Sequence, residues 1–172
     1  MEKSSRSFAS SKEIHTTLRD YFLFASVLMG ILLCSIIIFY VIGQELEDFM
    51  HIFMGMFFLV FAVFKLLDLK GFVSSFAMYD IIAKKDIRYA YAYPIIELFL
   101  SAAYFLHLPF ANTATIIILT IGGVGVIQQL LLGRKIRCAC LGTYIMLPLT
   151  TVSLVEDLMM VAMALILVFN KV

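Results

Sequence analysis

The chain has 172 residues, of which 63% are hydrophobic and 15% are charged, with a formal net charge of +1 and a mean hydropathy of +1.02. Soluble domains are roughly 45–50% apolar and about 25% charged, so this excess excludes a single water-soluble core and indicates a lipid bilayer, where apolar side chains need no burial. The near-neutral charge gives no indication of nucleic-acid binding, and three cysteines are too few for a disulfide framework.

The chain begins with a polar tail and one long apolar run. Residues 1–20 are rich in serine and contain four Lys or Arg residues, which predicts a short cytoplasmic tail. Residues 21–42 carry no charge, and a membrane-spanning helix needs ~20 such residues. The run ends without the small-residue cleavage site of a secretory signal, so we interpret it as a retained first span. Cys34 within it is predicted to pack as a small hydrophobic residue.

A second span is predicted at 49–67, and the segment after it has a different pattern. In residues 70–85, apolar side chains recur at helical spacing, and polar ones such as Tyr79 and Asp80 take the other side. This pattern predicts an amphipathic helix lying at the membrane surface. A loop helix packed on the bundle is the alternative.

The third predicted span, 89–108, carries two residues that are unusual inside a membrane. Pro94 lies five residues after its start, and Glu97 follows three positions later. His107 stands at the end of this span, isolated from other histidines in the sequence. A single isolated histidine is seldom a metal ligand, so we assign it no site.

Two further spans complete the predicted bundle, at 113–132 and 147–169. Gly122, Gly123 and Gly125 in the first of them are expected to allow close approach of another helix. The chain is therefore predicted to be all-α, an integral membrane bundle of five spans with one surface helix. We see no internal repeat, catalytic triad or cofactor motif, so a conventional enzyme is the least favoured class.

The distribution of Lys and Arg predicts the orientation of the bundle. Basic residues occur in the tail, between 65 and 88, and between 133 and 143, whereas the connection at 43–48 and the turn around Pro109 have none. Positive charge in short connections marks the cytoplasmic side. We therefore expect a multi-pass protein of the inner (plasma) membrane, with its N-terminus cytoplasmic and its C-terminus outside.

The most distinctive local feature is the pair Cys138 and Cys140 in the last basic connection. Two thiols at this spacing can bind one soft metal ion, Cu(I) or Zn(II), or can exchange between dithiol and disulfide. The cations within 134–137 favour the thiolate, which is the reactive form. A reducing cytoplasmic face disfavours a stable disulfide and therefore favours metal binding or transient exchange. A purely structural loop remains the alternative.

Three acidic residues within the predicted spans form the second feature. Glu97 lies eight residues into its span, and Glu156 and Asp157 lie nine and ten residues after position 147. These spacings place all three at a similar depth, roughly 12 Å for Glu97, and Lys65 and Asp68 are candidate partners. A charge at such depth costs about 2.5–3.5 kcal/mol on insertion scales. The layer is either a polar clamp that sets helix register or part of an ion or proton path.

Several segments together resemble one family, the MauE branch of the DoxX-like membrane proteins. The resemblance covers about residues 49–169, which implies a four-helix family core, with 21–42 as an additional span. Its motif positions correspond here to Lys65, Leu66 and Asp68, to Pro94 and Glu97, and to Cys138, Cys140 and Gly142. The segments that carry it are FFLVFAVFKLLDLKGF, MYDIIAKK, AYPIIELFLSAAYF and GRKIRCACLGT.

The resemblance implies two alternative functions. Methylamine-utilisation members help to mature a disulfide-rich, quinone-bearing dehydrogenase subunit, which implies a redox-associated maturation factor or scaffold that does not transport. The subset most similar in its CACLGT and TTVxLxED segments is associated with heavy-metal-binding domains. Because the tail here lacks a Cys-x-x-Cys motif, the partner is expected to be a separate metal chaperone or thioredoxin-like protein. The leading hypothesis is therefore a protein that handles a soft metal ion or a thiol at its cytoplasmic face.

Overall fold

A computed structural model describes residues 18–42, 45–132 and 151–169, and these residues form helices joined by short turns, with no strand among them. The predicted all-α membrane bundle is confirmed. The helices are α1 (Leu18–Ile42), α2 (Leu46–Leu67), α3 (Leu69–Phe76), α4 (Ile87–Phe105), α5 (Phe110–Leu131) and α6 (Thr151–Phe169).

Acidic side chains mark where several helices begin. The backbone N–H of Glu45 donates to Asp48 Oδ2 at 3.1 Å at the start of α2. Asp68 interrupts the helical backbone, and its carboxylate accepts from the N–H of Gly71 at 3.1 Å to begin α3. Asp86 likewise accepts from the N–H of Arg88 at 2.9 Å at the start of α4. These bonds satisfy N–H groups that the first turn of a helix leaves open.

The bundle has the polarity expected in lipid, with an apolar exterior and charges inside. Phe22, Tyr40 and Leu131 are more than four-fifths exposed, at 81%, 83% and 84%. Lys65 and Glu97, by contrast, are only 6% and 4% exposed. Such an exterior would be costly in water, but it carries no penalty against hydrocarbon chains.

Three of the described helices are long and apolar enough to cross a membrane, namely Tyr21–Ile42, Leu46–Leu67 and Phe110–Leu131. They correspond to the first, second and fourth of the five predicted spans. The other two described helices at predicted spans, α4 and α6, have 19 residues each and are not among the three. Their crossing of the bilayer stays a prediction.

Helix α2 is the centre of the bundle. It packs most extensively on α4 and also contacts α1, α3 and α6, while α5 packs on α6 and α4. The Ser101 hydroxyl of α4 donates to the Gly55 carbonyl of α2 at 2.8 Å, which shows how closely these two helices approach. Cys34 of α1 is exposed on the outside of the bundle, so the prediction that it packs inside is wrong.

The predicted amphipathic helix over 70–85 is shorter than expected. Helix α3 ends at Phe76, and Tyr79 and Asp80, which we expected on the polar side, are buried at 5% and 0% exposure. The Asp80 carboxylate accepts from the N–H groups of Ile82 and Ala83 at 2.9 and 2.8 Å. Such side-chain bonds offer the backbone an alternative to helix, and here they produce turns.

The buried turn packs against a glycine of α5. A Cβ placed on Gly125 would lie 2.6 Å from the Tyr79 carbonyl oxygen, whereas one on Gly122 or Gly123 would have no neighbour within 4 Å. The predicted close approach therefore occurs at one of the three glycines. Its partner is the backbone of the turn after α3 and not another helix.

Candidate functional site

A cavity of about 60 Å³ lies among α2, α4, α5 and α6, beside α3 and the turn that follows it. Half of its lining residues are aromatic, namely phenylalanines from α2 and α3 and two tyrosines, Tyr79 and Tyr93. Its charged lining residues are Lys65, Glu97, Glu156 and Asp157. A space of this size holds a few water molecules or a small ion, and it is too small for a peptide or a nucleotide.

The lysine of the cavity is held by Glu97 and by aromatic rings. Lys65 Nζ donates to Glu97 Oε1, and both side chains are buried. The same ammonium lies 5.0 Å from the centre of the Tyr93 ring and 5.5 Å from that of Phe72. Cation–π attraction at these distances adds to the ion pair where water is excluded.

The remaining acids leave the cavity with more carboxyl groups than cations. Glu156 is buried, and its Oε1, like Oε2 of Glu97, has no hydrogen-bond partner within the described residues. Among the described residues around the cavity, three carboxyl groups face one ammonium group, a formal excess of two negative charges when all are ionised. Such a site is suited to taking up protons or a small cation.

The structure brings most of the predicted intramembrane polar residues together. Glu97, Glu156 and Asp157 share the cavity with Lys65, whereas Asp68 does not line it and instead begins α3. Residues 18–42, 45–132 and 151–169 contain no group of three or more His, Cys, Asp and Glu side chains arranged to hold a metal. The functional role of these residues stays a prediction.

Cys138 and Cys140, the predicted metal or thiol pair, lie outside the described residues. The helices that flank their segment are described. Helix α5 ends five residues after the cavity residue Val126, and α6 begins five residues before Glu156. At 1.5 Å per residue, each of these helix ends is about 7.5 Å along its axis from a residue that lines the cavity.

Sequence reasoning missed Tyr93 and the histidine pair. Tyr93 precedes Glu97 by four residues, so helical periodicity alone places both on one face and was a usable signal. His107, which we expected to be isolated, stacks on His51 with ring centres 4.5 Å apart and an interplanar angle of 16°. That expectation was wrong because the two residues are far apart in sequence and no local pattern joins them.

Comparison with known proteins identifies a family. The family profile described as "Methylamine utilisation protein MauE" matches residues 43–170, a range that covers α2 to α6 and leaves α1 outside. No curated protein and no solved structure matches the chain.

Proposed function

This chain belongs to the MauE family of multi-pass membrane proteins, and on that premise we propose that it handles a soft metal ion or a thiol at Cys138 and Cys140. In this proposal the pair binds Cu(I) or Zn(II), or exchanges a disulfide, on the cytoplasmic face. The charged cavity between α2, α4, α5 and α6 receives the metal ion, or the protons, that the thiol pair releases.

The observation that carries the proposal is the excess of carboxyl groups around the cavity. Among its described lining residues three acids face one lysine, Lys65, and two of them, Glu156 and Asp157, lie near the start of the helix that follows the cysteine segment. An apolar bundle has no structural need for uncompensated acids, because each is costly to insert. Their place near the start of the helix that follows the thiol segment in sequence supports a joint role in accepting a cation or its protons.

The chemistry of the donors is consistent with a transfer site. Two sulfur ligands leave a tetrahedral ion incompletely coordinated, so further ligands must come from elsewhere. Zn(II) accepts carboxylate oxygen as well as sulfur, whereas Cu(I) is better matched by sulfur alone. A carboxylate of the cavity or a cysteine of a partner chaperone would supply the remaining ligands.

The family's description favours a second function, that of a maturation factor. Its name refers to methylamine utilisation, and a membrane scaffold that exchanges thiols with a thioredoxin-like partner would use the same cysteine pair. Such a protein needs no bound metal, so metal content separates it from the metal-binding form of the first proposal.

The decisive experiment compares bound metal in the wild type and in the double variant Cys138→Ser, Cys140→Ser. After loading with Cu(I) or Zn(II) under reducing conditions, we expect the wild type to retain metal and the variant to lose it, because thiolates are the soft donors. Cys34 is present in both proteins and serves as the internal control. Equal metal content, or none in either protein, would end the metal proposal and leave thiol exchange.

A second experiment separates a functional acid layer from a structural clamp. We expect Glu97→Gln to lower bound metal while the melting temperature changes little, because Gln still accepts a hydrogen bond and Lys65 keeps two other acids in the same cavity. Metal and melting are measured on one preparation, with Glu45→Gln, an exposed glutamate at the start of α2, as the matched control. A Glu97→Gln protein that is stable and fully loaded contradicts the role of the cavity in metal handling.

A further inference from the structure

We propose that the bundle conducts protons along a line of buried polar side chains, from the His51 and His107 pair at one end to the Glu97 cavity at the other. The line follows α4, draws further residues from α2 and α5, and uses neither Cys138 nor Cys140. The proposal is therefore independent of the metal or thiol function.

The central part of the line lies on one face of α4. Glu97, Ser101 and Tyr104 follow each other at helical spacing and are 4%, 2% and 0% exposed. The Ser101 hydroxyl is already in a hydrogen bond across the interface, donating to the Gly55 carbonyl. Glu97 and Ser101 are one turn apart, roughly 6 Å along the axis. In the proposed path a water molecule joins the two side chains through hydrogen bonds of about 2.8 Å each, and the cavity that Glu97 lines has room for water.

The line continues from α4 to α5 and back to α2. The Tyr104 hydroxyl donates to Thr115 Oγ1 at 2.9 Å, and both residues are fully buried. Asn112, three residues before Thr115 on α5, is buried with an Oδ1 that has no hydrogen-bond partner in the described part of the chain. The Tyr104 ring lies 5.9 Å from that of His51, centre to centre. Hydroxyl and imidazole groups thus occupy positions where an apolar core would suffice, and the Asn112 amide lies one helical turn from Thr115.

The two histidines connect this buried line to the exterior. His51 is buried, with Nδ1 2.8 Å from the Glu47 carbonyl oxygen, and it stacks on His107, whose side chain is 46% exposed. His107 Nδ1 lies 3.9 Å from Asp48 Oδ1, so a carboxylate lies next to the exposed end of the line. His107 also has a positive φ of 53°, a backbone conformation that non-glycine residues seldom adopt outside positions held by their surroundings.

These groups together form the kind of chain that carries protons through membranes. Ionisable side chains that face the interior of a membrane bundle mark ion or proton paths, because they are costly to place there, and hydroxyl groups between them supply further donors and acceptors. Each step passes one proton from a donor to the next acceptor, through water where two groups share no direct hydrogen bond, and the groups return to their starting state after they reorient. A clamp that only sets helix register needs polar contacts at one level and has no need for a line that reaches the exterior.

The test measures proton flux into liposomes that contain the purified protein and a pH-sensitive dye, with a potassium gradient and valinomycin to set the potential. Chelator and reductant are present throughout, so metal handling does not contribute. We expect flux above that of empty liposomes, and a loss of about tenfold in Glu97→Gln and in Ser101→Ala, equivalent to about 1.4 kcal/mol on the barrier.

Ser35→Ala is the matched control. Ser35 is a fully buried serine whose hydroxyl donates to the Ile31 carbonyl at 2.8 Å, and it belongs to α1, which contributes no residue to the line. Its flux should equal that of the wild type. If Glu97→Gln fails to fold, Tyr104→Phe replaces it as the variant whose proton flux is measured. This substitution keeps the ring stacked on Phe58 and removes only the hydroxyl. Wild-type flux no greater than that of empty liposomes, or equal flux in Ser101→Ala and Ser35→Ala, overturns the proposal.

Discussion

Lys65→Met is expected to destabilise the bundle by about 3–5 kcal/mol, the range found when one member of a buried ion pair is removed. Lys65 is the only cation among the described residues that line the cavity, and its loss would leave Glu97, Glu156 and Asp157 facing one another. Met retains most of the length and apolar surface of the lysine stem, so the loss of stability measures the removal of the charge. Glu97→Gln should cost less, because Lys65 would still have two acids nearby.

Thermal melting in detergent measures the effect, with Lys70→Met as the control. Lys70 is exposed on α3, and the same substitution there should change the melting temperature little. The double variant Lys65→Met, Glu97→Gln should recover part of the loss, because fewer carboxyl groups then lack a cation. The loss should also shrink at acid pH, where the carboxyl groups take up protons and their repulsion disappears. Equal melting of the Lys65 and Lys70 variants would show that the buried pair does not stabilise the bundle.

Gly125→Ala is expected to destabilise the protein, although the same change usually stabilises a helix. Replacing Gly by Ala inside a helix gains about 1 kcal/mol. At Gly125 the new Cβ would lie 2.6 Å from the Tyr79 carbonyl oxygen, and this backbone atom cannot rotate away as a flexible side chain could. Separating α5 from the turn after α3 costs about 1–3 kcal/mol, as overpacking generally does, so the net effect is a loss.

Gly122→Ala provides a control of opposite sign. A Cβ at Gly122 meets nothing within 4 Å, so the helix gain is not offset there and melting should rise or stay level. The two alanine variants differ only in position on one helix, and their melting temperatures are compared under the same conditions. If Gly125→Ala melts at or above the wild type, the turn after α3 does not depend on its contact with α5.

The helices of this protein could be predicted from sequence because a bilayer allows few alternatives. Backbone groups in hydrocarbon must be paired within the chain, so a long apolar run there forms a helix. The predicted starts at 49 and 113 lie three residues after the observed starts of α2 and α5 at Leu46 and Phe110. The depth of a residue in its helix follows from residue counting, because the rise per residue is fixed. Counting alone therefore assigns Glu97, Glu156 and Asp157 to one layer.

Residue pairings, in contrast, were decided only by the tertiary structure. Lys65 and Glu97 are 32 residues apart, and His51 stacks on His107, which lies just beyond the end of α4. The period of a helix tells which residues share a face but not which neighbour that face meets, because each helix is free to rotate about its axis until the bundle packs. The burial of Tyr79 and Asp80 depended in the same way on a contact with Gly125 that no local pattern encodes. Sequence therefore determined the helices and the depth of their charges, whereas packing determined which of those charges meet.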